Sequence, residues 1–145
     1  MADAYSLDIR SDADPNDIEA VRKGLDAFNE SRVGPTAWQP VNLFVRDEAG
    51  NVVGGLLGGT YWSWLYVDIL WVAEELRGQG WGSRLLEQAE MIAREHGCIA
   101  VHLDTTDFQA RPFYEKQGYT VWGILDDIPP GHQRIFLTKR LAPAE

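Results

Sequence analysis

Residues 72–83 read Val72-Ala73-Glu74-Glu75-Leu76-Arg77-Gly78-Gln79-Gly80-Trp81-Gly82-Ser83. An apolar run feeds three alternating glycines, and a helical pattern follows at once. A helix start leaves backbone N–H groups without partners and carries the positive end of the helix dipole, so it attracts anions. Glycine lets the backbone approach a bulky anion closely, and Arg77 adds fixed charge with forked donors. The chemistry on offer is the holding of a phosphate or pyrophosphate. A Walker loop would end in Gly-Lys-Ser/Thr, where this chain has Gly82-Ser83-Arg84. A dinucleotide fingerprint would space its glycines Gly-x-Gly-x-x-Gly, where this loop reads Gly-x-Gly-x-Gly. The same glycines would equally serve a helix start that merely packs closely.

A second segment lies about one strand and one helix downstream. It reads Phe113-Tyr114-Glu115-Lys116-Gln117-Gly118-Tyr119 and is preceded by Ala110. The order Arg-x-x-Gly-x-Gly, followed at this distance by a helix ending in Phe-Tyr-Glu-Lys-x-Gly-aromatic, resembles the two signatures of the GNAT acetyltransferase superfamily. The resemblance is good over residues 65–123 and looks like a small bacterial subgroup. It implies an α/β (α+β layered) domain with a mixed, mostly antiparallel sheet, splayed central strands and helices on both faces. It also implies acetyl-CoA as cosubstrate. The N–H groups of Gly78, Gln79, Gly80, Trp81 and Gly82, with Ser83 next to them, would hold the pyrophosphate beside Arg77. The strand edge at Leu70, Trp71 and Val72 would bond the pantetheine like an added strand, with a backbone N–H near Trp71 or Val72 at the thioester carbonyl. Phe113 and Lys116 would fall on the cofactor side. Tyr114 matches the general acid toward the departing thiolate; its alternative is an aromatic packed beside Phe113. Asp107 stands where many members carry Asn. It keeps the acceptor oxygens but loses the amide donors, so it either helps hold the cofactor arm or caps the following helix.

An amine acceptor is protonated near neutral pH and has to lose a proton before it attacks. Asp68 is the best candidate base, the one charge in an otherwise apolar strand. Simple alternation puts it on the face of Leu70 and Val72. An unpaired carboxylate there would be costly, so a partner or an altered affinity for protons is expected. The competing reading is a structural aspartate bonded to backbone or to His102. His132, in the loop Pro129-Pro130-Gly131, is a weaker candidate, and a water chain without a single base is a third route.

The elements that position these groups follow from periodicity. Residues 6–10 alternate as a short strand, and Asp14-Pro15 opens a helix over residues 15–29. Strands are expected over 41–46, 52–61 and 65–72, then a helix over 80–95 with Trp81, Leu85, Leu86, Ala89, Ile92 and Ala93 as its apolar stripe. A strand over 99–104, a helix over 108–117 and strands over 119–125 and 133–141 complete the order β-α-β-β-β-α-β-α-β-β.

The chain has 145 residues, enough for a single domain over 1–145. Its 13 basic and 22 acidic residues give a net charge of −9. That argues against nucleic-acid and membrane-surface partners and favours a cationic one. The single Cys98 excludes an intramolecular disulfide. His96, His102 and His132 lack metal-ligand spacing, so no metal is expected. No apolar stretch is long enough for a membrane helix and the start has no basic leader, which reads as cytoplasmic. Trp38, Trp62 and Trp64 could line an acceptor pocket or a homodimer face. The function expected is transfer of an acetyl group to the primary amine of a small cationic molecule by direct attack in a ternary complex. The alternatives are a non-catalytic acyl-CoA-binding or sensing module, a protein or peptide amine acetyltransferase, and an unrelated nucleotide-binding domain.

Overall fold

A computed structural model describes residues 4–143. They form two compact units, one ending at Thr36 and the other starting at Ala37. The first holds helix α1, Pro15–Val33. Asp14 caps it, accepting from the Asn16 N–H at 2.8 Å, and Pro15 occupies the first turn. The helix runs a turn past the expected end because nothing stops it before Gly34, whose φ of +81° ends it. The strand expected over residues 6–10 does not form. Two alternating apolar residues specify a strand only if a partner ladder is available, and this unit has none.

The second unit is built on six strands: β1 Gln39–Arg46, β2 Val52–Tyr61, β3 Trp64–Val72, β4 Ala100–Thr106, β5 Thr120–Asp126 and β6 Gln133–Arg140. Helix α2 (Trp81–Glu95) joins β3 to β4, and the short helix α3 (Arg111–Lys116) joins β4 to β5. The sheet order is β1-β2-β3-β4-β6-β5. Every pairing is antiparallel except β3 with β4. The sheet is thus mixed and mostly antiparallel, as expected.

Two irregularities position the site. The parallel pairing of β3 and β4 covers only Trp64–Val67 against Ala100–Leu103. Beyond it β3 stays with β2 as far as Val72, while β4 stays with β6 as far as Thr106. The two central strands therefore part, and each leaves one edge unpaired. Just where they part, β3 bulges: Gly58 pairs with Val67 and Leu57 with Ile69, so Asp68 is the extra residue. The bulge reverses the alternation. Val67 faces the core, and so do Leu70 and Val72 beyond the bulge.

Leu65, Val67, Val101, Leu103 and Leu137 form the floor of the core, and Leu85, Leu86, Ala89 and Ala93 of α2 close it. Full burial stabilises by roughly 1.5–3 kcal/mol per Val or Leu side chain. Glu90 of α2 is buried among them, satisfied by Lys139 Nζ at 2.6 Å and by the Tyr119 hydroxyl at 3.3 Å. Helix α3 starts at Arg111 rather than residue 108. The residues before it are held as a turn, with Gln109 Oε1 accepting from the Thr106 N–H at 2.9 Å and Thr105 Oγ1 from the Ala110 N–H at 3.3 Å.

Candidate active site

The parting of β3 and β4 opens a cleft of about 820 Å³. Its near wall is the free edge of β3. Leu70, Trp71 and Val72 line it, with Asp68 at the inner end. At the outer end the chain turns through Glu74–Leu76 into the glycine loop. The Arg77 Nε donates to the Val72 carbonyl at 3.2 Å, which fixes the guanidinium at the mouth.

The loop offers bare donors. The first hydrogen bond of α2 runs from the Arg84 N–H to the Gly80 carbonyl, and the N–H groups of residues 78–83 take no backbone partner. Gly78 and Gly80 have φ of +77° and +85°, and a Cβ would meet nothing at either. Their requirement is conformational, since other L-residues resist this region. Gly82 differs: a Cβ there would stand 3.3 Å from the Phe113 ring, so glycine allows α2 to approach α3. Six consecutive donors, a helix dipole and one guanidinium fit an anion with several phosphate oxygens. An unpaired strand edge leading inward fits an extended amide-bearing arm.

At the inner end Tyr114, on α3, is 6% exposed and lines the cleft. Its hydroxyl makes no hydrogen bond among the described residues yet is not sealed off. Burial, and then the negative charge of Asp104, push its pKa up to about 12. The Asp68 carboxylate accepts from the Tyr66 hydroxyl at 3.2 Å. This corrects two readings of Asp68. The bulge removes it from the alternation of Leu70 and Val72, and its partner is Tyr66 rather than His102.

The cleft thus gathers Asp68, Leu70, Trp71, Val72, Arg77, Gly78, Gly80, Trp81, Gly82, Ser83, Phe113 and Tyr114. Gln79, Asp107 and Lys116 are not among its walls. The Gln79 amide turns back to the Glu75 carbonyl at 3.0 Å. Asp107 caps no helix, because α3 begins after Ala110. Its carboxylate instead accepts from the Gln133 N–H at 3.1 Å and from His132 Nδ1 at 3.0 Å, tying the end of β4 to the β5–β6 hairpin. His132 is thereby engaged edge-on to Phe108, a cleft residue, with ring centroids 5.0 Å apart. Asp104 and Thr105 also line the cleft and were not picked out from the sequence. The signal for them was the polar end of a strand that parts from a parallel neighbour, where ligands commonly bind.

The model of the Acetyltransferase (GNAT) family matches residues 8–119. The acetyltransferase Atu2258 of Agrobacterium fabrum (strain C58) is 38% identical over 128 residues, covering 88% of this chain and 93% of its own. The blasticidin-S acetyltransferase of Streptomyces morookaense is 47% identical over 95 residues, 65% of this chain and 70% of its own. A crystal structure of an acetyltransferase from Bacillus cereus ATCC 14579 superimposes with a TM-score of 0.82 at 36% identity, covering 92% of this chain and 98% of that one. With a donor-lined loop, a splayed sheet and this kinship in one molecule, the chain belongs to the GNAT family of acetyltransferases, which draw their acetyl group from acetyl-CoA.

Proposed function

We propose that the chain acetylates the primary amine of a small cationic molecule by direct attack on acetyl-CoA in a ternary complex. The observation that carries the reading is one cleft with anion donors at its mouth and Tyr114 and Asp68 at its inner end. The N–H groups of residues 78–83 and Arg77 would hold the pyrophosphate, and the free edge of β3 the pantetheine. Asp68 accepts a proton from the ammonium, and the freed amine attacks the thioester carbonyl. The C–N bond forms, charge develops on the carbonyl oxygen near a β3 N–H, the C–S bond breaks, and the second proton shed by the new amide nitrogen passes to the departing thiolate sulfur. Pre-aimed donors of this kind are worth about 10²–10³ in rate. Tyr114 meets the thiolate with its O–H. At a pKa of about 12 it is a weaker acid than a thiol of ~8.5, so it serves by hydrogen bonding more than by giving up its proton.

The small-molecule acceptor is supported by kinship to an enzyme named for blasticidin-S. The cationic acceptor is supported by the net charge of −9. Thiol release from acetyl-CoA is to be measured across a panel of amines. Asp68→Asn should lower kcat by ~10²–10⁴ with the acetyl-CoA KM unchanged. An unchanged kcat assigns Asp68 to structure. The acceptor KM should rise with ionic strength, and a flat dependence removes the electrostatic part of the reading. Acetyl-CoA binding without thiol release on any amine would favour a sensing module instead.

A further inference from the structure

The sheet face opposite α2 carries a second hollow of about 800 Å³. Along β3, β4 and β6 the alternation that sends Leu65, Val101 and Leu137 into the core sends Trp64, His102 and Phe136 to this side. Its floor is a plate of rings. His102 stacks on Tyr66 with centroids 4.9 Å apart and planes 20° off parallel. Trp64 and Tyr61 meet it edge-on at 5.8 and 6.1 Å, and the Tyr61 hydroxyl shares a hydrogen bond with His102 Nε2 at 3.1 Å. Burial lowers the His102 pKa, so the plate carries no charge at neutral pH.

Two tryptophans stand at the rim, Trp62 at 47% and Trp122 at 66% exposure. Each sits at a departure from regular backbone. Trp62 and Ser63 form the two-residue turn between β2 and β3 with φ of +46° and +64°. Such turns select Asn and Gly, and a bulky residue there is strained. Trp122 is skipped in the pairing of β5 with β6, in a bulge that sets its ring 5.6 Å from Phe136. Strained turns and bulges cluster where a side chain has to be aimed.

The hollow meets the donor cleft through the splay. Asp104 lines both. Tyr66, in the floor, donates to Asp68 in the cleft. The polar groups at the junction are few: the Asp104 carboxylate bound by Arg134 at 2.8 Å, and Asp68. We propose that this hollow is the acceptor subsite and that it selects primary amines carried on a planar unsaturated ring. The inference rests on the acetyltransfer reading. Aromatic faces take flat rings by offset stacking and edge contact, and the amine of a ring so seated reaches Asp68 across the junction. The shared Asp104 favours a small acceptor over a second copy of the chain, since docking between copies requires no passage to the cleft.

The test compares tryptamine and 4-(aminomethyl)pyridine with hexylamine and cadaverine. Binding to the CoA-loaded protein is read by calorimetry, and turnover by thiol release. The ring-bearing amines should bind at least 10-fold more tightly. Trp62→Asn, which relieves the turn and so keeps the fold, and Trp122→Ala should each erase that preference while acetyl-CoA binds as before. Equal binding of the two classes, including none of either, overturns the subsite. Ring-selective binding without thiol release leaves the subsite standing and overturns the acetyltransfer reading. A dimer that becomes monomeric in Trp122→Ala assigns the face to a second copy and overturns the proposal.

Discussion

Tyr114→Phe is the sharpest test of how the thiolate leaves. Tyr114 is buried, its hydroxyl has no partner among the described residues, and its pKa is pushed up to about 12. Against a thiol of ~8.5 the gap is about 3.5 units, so handing over the proton in full lies about 4.8 kcal/mol uphill. A hydrogen bond to the developing charge is worth roughly 1.5–3 kcal/mol. The expected loss in kcat is therefore about 10- to 150-fold, at the low end of ordinary acid catalysis. The acetyl-CoA KM should stay put, because the ring remains. So should the melting temperature, because an unbonded hydroxyl contributes little. Stability carries a signature of its own. A proton held more tightly in the folded state than in the unfolded one contributes stability below pH ~10 that is lost as pH rises from about 10 to 12. Burial and Glu90 raise the Tyr119 pKa too, so the decline survives in Tyr114→Phe but with a shallower slope. Steady-state kinetics and thermal melts at stepped pH measure all three quantities. A kcat within threefold of the parent, or an alkaline limb near pH 10 that vanishes in the variant, refutes the reasoning.

The other predictions separate binding from architecture. Gly80→Ala meets no steric obstacle but forces an alanine to φ +85°, which costs about 1–2 kcal/mol, and it should raise the acetyl-CoA KM severalfold. An unchanged KM in titrations of the purified variant would detach the loop from the cofactor. Lys139→Met strands the buried Glu90 carboxylate and should destabilise by about 3–5 kcal/mol in denaturant titration; a loss below 1 kcal/mol would mean the carboxylate is not held as described. Asp107→Ala breaks its bonds to Gln133 and His132 and should lower stability by roughly 1–3 kcal/mol while leaving the acetyl-CoA KM alone. A raised KM with intact stability would return Asp107 to the cofactor.

Regular elements were legible because their signals are local. The apolar stripe of α2 and the turn residues around β2 placed both within a residue of their observed bounds. The glycine loop could be read for the same reason, since bare N–H groups, left-handed glycines and an arginine all fall within seven residues. What escaped depends on partners distant in sequence. The face of Asp68 is set by which residues of β2 it fails to pair with, and alternation along β3 alone contains no trace of that bulge. Asp107 looked like a helix cap or a cofactor ligand because its true partners lie 25 and 26 residues on. The residues at 6–10 failed in the opposite sense, carrying a strand pattern with nothing to pair with.

Asp68 lies where a bulge and the splay coincide, and Trp62 and Trp122 border the adjoining hollow at a strained turn and a second bulge. A continuous sheet would bond β3 to β4 along their whole length and close the cleft. It would also send Ile69 and Trp71, rather than Leu70 and Val72, to the core face. The bulge keeps Leu70 and Val72 on the core face, ends the parallel ladder, and frees the edge of β3, all with one extra residue. Ladder hydrogen bonds lost on one side of β3 are the cost of a groove whose N–H and C=O groups await an extended ligand. It follows that repairing the bulge should harm function more than stability. Deleting Asp68 restores the pairing of β2 with β3 and should preserve the fold while removing acetyl-CoA binding; binding that survives the deletion would show that the splay does not depend on the bulge.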